Sequence, residues 1–87
     1  MSNTAQAADA MILRDAINMA LHDAMKDDAK VTVLGEDVAD PECGGVVGVT
    51  KGLSSKYGDD RVRSTPISEQ AIMGAAIGSS LIGYKPV

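Results

Sequence analysis

Eighty-seven residues make at most one small domain, whose own core supplies only marginal stability. A composition that is 45% hydrophobic, with no Phe, no Trp and two Tyr, requires an interior of Ala, Val, Ile, Leu and Met in which backbones pack close together. The net charge of −4, with Lys and Arg scattered singly, argues against a nucleic-acid or anionic-membrane surface, since both need clustered cations.

Residues 1–10, "MSNTAQAADA", have neither a basic n-region nor an apolar h-region, so they read as a flexible arm rather than a signal peptide. From Met11 to Met25, the apolar Ile12, Leu13, Ala16, Ile17, Ala20, Leu21, Ala24 and Met25 recur at helical spacing. Polar residues fill the other side, and His22 among them is expected to be exposed. "VTVLGED" then supplies a short apolar run, Val31, Val33 and Leu34, as expected of a buried strand.

Residues 38–49, "VADPECGGVVGV", contain Pro41 and three glycines and should form a loop. Its glycines lack both the G-x-G-x-x-G spacing and a following Lys-Ser/Thr pair, so this is no phosphate loop. Cys43 is the sole cysteine. With no partner thiol and no chelating cluster around it, a reducing, cytoplasmic setting is the default. Residues 50–57 predict a short helix closed by Gly58, and a second strand is expected around Val62, ended by Pro66.

Ser68 is a candidate N-cap for a helix running from Glu69 to about Ile82 and closed by Gly83. Gly74 and Gly78 give that helix a face almost without side-chain bulk, suited to close packing in a core or against another subunit. The longest apolar stretch, residues 71–83, is shorter than the roughly 20 residues that cross a bilayer. "YKPV" looks like the start of another strand but is too short to pair. Strands and helices therefore alternate as in an α/β fold with a parallel sheet, and two or three strands leave that fold truncated.

Two acidic positions stand out. Glu69 opens its helix, where the helix dipole alone favours a carboxylate. Its short apolar neighbours and the proline-fixed turn before it should also exclude water, which raises a carboxyl pKa while the dipole lowers it. Glu36 and Asp37 follow the first strand, at the carboxyl end where open parallel sheets place ligand crevices. Solvated loop residues are the plainer reading there. Because Glu36 and Glu69 both follow predicted strands, the two are expected at one edge of the sheet.

"LGEDVA", "GGVVGVTKGLSSKYGDDRV" and "TPISEQAIMGAAIGSSLIGYKPV" together resemble the start of the β subunit of the thiamine-diphosphate-dependent decarboxylating component of 2-oxo acid dehydrogenase complexes, the pyruvate, branched-chain and acetoin enzymes. The likeness runs from about Leu13 onward. It implies that residues 11–87 are the N-terminal portion of the pyrimidine-binding α/β domain. Glu69 would hydrogen-bond the N1′ nitrogen of the cofactor's aminopyrimidine, favouring the imino tautomer that removes the thiazolium C2 proton.

The resemblance also implies that Ile67 lines the pyrimidine pocket and that Glu36 lies nearby in an acidic, water-filled path. The diphosphate and magnesium fall to a partner α subunit, so no metal ligand is expected here. The other implied partners are a second β subunit, giving a heterotetramer, and a lipoyl-bearing acyltransferase. Val47 stands where pyruvate and branched-chain members often carry an aromatic residue, closer to the acetoin type. The chain alone would be inactive. A different class of answer is a non-catalytic α/β module that self-associates through its Gly74/Gly78 helix.

Overall fold

The computed structural model describes residues 11–87; the flexible arm expected for residues 1–10 lies outside the described residues. In chain order the elements are α1 (Leu13–Asp27), β1 (Val31–Glu36), a 3₁₀ turn (Asp40–Glu42), α2 (Leu53–Tyr57), β2 (Val62–Thr65), α3 (Glu69–Leu81) and β3 (Lys85–Pro86). The three strands form a parallel sheet in the order β2-β1-β3.

This order explains the layering. The chain moves to one side of β1 to make β2, then crosses back past β1 to make β3. Since parallel crossovers share one hand, a reversal of direction puts the connecting helices on opposite faces. On one face, Val31 and Val33 of β1 and Val62 of β2 pack with Met25 of α1 and Leu53 of α2, and Leu21, Ala24, Val38 and Tyr57 close around them. Thr32 and Leu34, which alternate with the buried valines, share a cavity on the other face with Ala75 and Ser79 of α3.

The core is small, and it is reinforced by polar ties. Arg61, just before β2, donates through Nη2 to the carbonyls of Met25 at 2.8 Å, Asp28 at 2.9 Å and Val31 at 3.0 Å, and through Nε to Val31 at 3.2 Å. One planar cation thereby satisfies the carbonyl end of α1, where positive charge is favoured, and fixes the start of β1. Its guanidinium also lies 4.9 Å from the centre of the Tyr57 ring.

Several expectations need correction. The apolar stripe of α1 turns inward only toward its C-terminal end, where Met25 is buried and Leu21 and Ala24 are half-buried, while Ile12, Leu13 and Ile17 are exposed. The first half of the helix has loop rather than sheet beneath it, where Asn18 Nδ2 donates to the carbonyls of Val49 at 3.0 Å and Lys51 at 2.9 Å. His22 is half-buried: its Nε2 is 3.1 Å from the Lys51 carbonyl, and since a carbonyl only accepts, the ring donates.

Ser68 precedes α3 but makes no side-chain capping bond to it; its hydroxyl donates back to the Pro66 carbonyl at 3.0 Å. The terminal "YKPV" does pair: the amides of Lys85 and Val87 donate to Lys30 and Thr32 at 2.9 and 2.8 Å, and Val87 accepts from Leu34 at 3.0 Å. A two-residue strand suffices because Pro86, which has no N–H, occupies the position whose amide would point away from β1.

Candidate functional site

The β1–β2 register carries the site. Val33 pairs with Val62, and three rungs later Glu36 stands opposite Thr65, so both strands end level. Pro66 stops β2, the chain turns through Ile67 and Ser68, and α3 starts at Glu69. Glu36, Ile67 and Glu69 therefore share the carboxyl edge of the sheet. In the order β2-β1-β3 the chain reverses across β1, and open α/β sheets hold ligands outside their carboxyl ends at such a switch point.

Among the described residues nothing excludes water at Glu69: Glu69 and Glu36 are both exposed and Ile67 retains 81% of its accessible surface. The half-buried residues of α3 are Ile72, Ala76 and Ser79, spaced to face the sheet, and the small residues beside Glu69 reach too short a distance to cover it. Among the described residues, neither glutamate takes part in a salt bridge. Both carboxylates are thus available to an external partner.

Gly74 and Gly78 lie on the outer side of α3. A Cβ built at either meets nothing within 4 Å, so among the described residues their lack of bulk serves no packing. Met73, Ile77 and Leu81 are exposed on the same helix.

The loop that follows β1 is held by a residue that periodicity does not reveal. Asp40 Oδ1 accepts the Gly52 amide at 2.6 Å, and Oδ2 accepts the Ser55 amide at 3.0 Å, the Ser54 hydroxyl at 3.2 Å and the Ser55 hydroxyl. The Ser55 hydroxyl first, with the Gly52 amide next, holds the Asp40 carboxyl at a pKa of about 2. The clue in the sequence is the Asp-Pro pair at 40–41, which favours a turn in which aspartate bonds nearby backbone. Thr50, 5% exposed, donates to the Val38 carbonyl at 2.8 Å. Cys43 is free and exposed. Among the described residues, no group of three or more His, Cys, Asp or Glu side chains is placed to hold a metal, and no helix is long and apolar enough to cross a membrane.

The fold and its edge thus define a doubly wound parallel α/β unit with acidic residues along the carboxyl edge of its sheet. Residues 9–87 match the family described as the transketolase pyrimidine binding domain, and the chain belongs to that family. It is 45% identical over 86 residues to the β subunit of the mitochondrial pyruvate dehydrogenase E1 component of Drosophila melanogaster, covering 99% of this chain and 23% of that protein. It is 53% identical over 72 residues to the β subunit of 3-methyl-2-oxobutanoate dehydrogenase of Mycobacterium tuberculosis, covering 83% and 20%. With the 2-oxoisovalerate dehydrogenase β subunit of Bacillus subtilis it shares 45% over 73 residues, covering 84% and 22%. The chain spans about a fifth to a quarter of the length of these relatives.

Proposed function

We propose that this chain forms the pyrimidine-facing part of a β subunit that, with an α subunit, carries out thiamine-diphosphate-dependent oxidative decarboxylation of a 2-oxo acid. The observation that carries the reading is the placement of Glu36, Ile67 and Glu69 along one carboxyl edge of a parallel sheet, set by the level ends of β1 and β2. Family membership supports it, as do the three relatives named above, each a β subunit of a 2-oxo acid dehydrogenase.

The donor set fits an aminopyrimidine. An exposed carboxylate at the first position of α3 is suited to share a proton with a ring nitrogen, and the exposed Ile67 offers an apolar surface to a flat ring. Bound there, thiamine diphosphate supplies the nucleophilic carbon and the electron sink for decarboxylation. Glu69 holds the proton at the pyrimidine. Glu36 adds a second carboxylate across the edge, through which protons exchange with water. Drying of Glu69 then falls to partner surfaces, and the outward Gly74/Gly78 face with Met73, Ile77 and Leu81 supports close contact with such a surface.

In this reading the α subunit holds the diphosphate and magnesium, a second β subunit completes a heterotetramer, a lipoyl-bearing acyltransferase receives the acyl group, and the 87-residue chain alone is inactive. The Val47-bearing loop supports acetoin as a second substrate class, because its tip is aliphatic where an aromatic is common. A self-associating module without catalysis draws on the same exposed α3 face. The test is C2-proton exchange of bound thiamine diphosphate in the assembled full-length enzyme carrying Glu69→Gln. The reading expects exchange slowed by about 100-fold or more; parent-like exchange removes Glu69 from the chemistry.

A further inference from the structure

We propose that Asp40 is a positioning residue: it clamps the segment leaving β1, keeps Asp37 in a left-handed backbone conformation, and thereby presents Glu36 at the carboxyl edge. The inference rests on reading that edge as the pyrimidine site.

Each residue from Asp37 to Asp40 is tied down. Asp37 has φ +58°, and its carbonyl accepts the Gly45 amide. The Val38 carbonyl accepts the Thr50 hydroxyl at 2.8 Å, the Ala39 amide donates to Ser64 Oγ of β2 at 3.0 Å, and the Asp40 amide donates to Ser54 Oγ at 2.8 Å. The Asp40 carboxylate closes the strap on the start of α2, with Gly52 on one oxygen and Ser54 and Ser55 on the other.

Both oxygens face backbone donors, so an asparagine in this place must turn its own NH₂ against an N–H. Aspartate tolerates the left-handed region better than most residues with a Cβ but still favours negative φ, so the bonds around Asp37 decide which it adopts. Freed of the clamp, Asp37 relaxes toward negative φ, which turns the peptide next to Glu36 and moves its carboxylate. Glycine at 37 removes the reason to relax, since it occupies positive φ without strain.

The experiment uses the full-length β subunit assembled with its α partner, titrated with thiamine diphosphate in the presence of Mg²⁺. Asp40→Asn is expected to weaken binding by about tenfold or more and to lower Tm. Adding Asp37→Gly, which touches none of the bonds to the Asp40 carboxylate, is expected to return Kd to within about threefold of the parent while Tm stays low. A Kd unmoved by Asp40→Asn, or one still weak in the double variant, overturns the proposal. If Asp40→Asn does not assemble, Ser55→Ala, which removes one donor and keeps the carboxylate, is compared with and without Asp37→Gly by the same criteria. Parent-like binding and C2 exchange in both Glu36→Gln and Glu69→Gln overturn the edge reading itself, and this proposal with it, independently of the Asp40 result.

Discussion

Glu36 and Thr65 face each other on the last rung of the β1–β2 ladder, and that pairing brings Glu69, four residues after Thr65, to the edge on which β1 ends. A one-residue slip of β2 would turn Val62 out of the core, so burial of the valine enforces the register that aligns the two acidic positions. Stability and site geometry are coupled through one small strand. Val62→Ala is expected to cost about 1–3 kcal/mol and to loosen amide protection at Val33 and Gly35 together, read by hydrogen exchange.

Arg61 ties the end of α1 and the start of β1 to the chain before β2 through hydrogen bonds to their carbonyl groups. Arg61→Ala leaves the carbonyls of Met25, Asp28 and Val31 without their cation and is expected to destabilise by about 1.5–3 kcal/mol in urea unfolding. Arg61→Lys should recover less than half of that, because a point charge cannot span the carbonyls as a planar fork does.

Gly44 has φ +65°, and a Cβ there would lie 2.5 Å from the Lys51 Cα, a backbone atom that cannot step aside. Gly44→Ala therefore combines conformational strain with overpacking, at about 2–4 kcal/mol. By contrast, Gly74→Ala meets open space and should leave the folding of this domain almost unchanged, while weakening assembly if that face is the contact the proposed function requires. Unfolding and subunit association, measured side by side, separate the two.

Asp40 sets an acid limit on the loop. Its carboxyl is lowered from 3.8 to about 2, so its contribution is fully present above the unfolded value and is lost as pH falls through the folded one. Asp28, bonded to Lys85 at 2.6 Å and to the Lys30 amide at 2.9 Å, is lowered for the same kind of reason, the lysine contact first, and acts in the same direction. Protection of the Gly52 and Ser55 amides should fall between pH 4 and pH 2, in the window from 3.8 to about 2. In Asp40→Asn that protection should be low throughout and nearly independent of pH.

The parts of the fold legible in the sequence are those governed by near neighbours. Alternation at Val31 and Val33, the stop at Pro66 and the helical run from Glu69 place β1, β2 and α3 within a residue or two of their observed bounds. What escapes is long-range. Arg61 bonds carbonyls 30–36 residues away, and nothing beside it in the chain announces them. The half-buried setting of His22 depends on Lys51 and Tyr57, from elements distant in sequence. Ser68 has a good capping side chain, yet its φ of −165° and ψ of 65° accompany a hydroxyl bonded to Pro66 instead. At the site, the shared edge of Glu36 and Glu69 follows from two predicted strands, whereas water exclusion does not, because small apolar neighbours on a helix cover nothing unless another surface meets them.

The central claim is that Glu69 serves the pyrimidine end of a thiamine cofactor, and the most direct measurement is the structure of the full-length assembled protein with thiamine diphosphate bound. The account predicts the Glu69 carboxylate within about 2.6–3.2 Å of a pyrimidine ring nitrogen, buried by a partner surface. A Glu69 side chain in bulk solvent, with the pyrimidine held elsewhere, would contradict it.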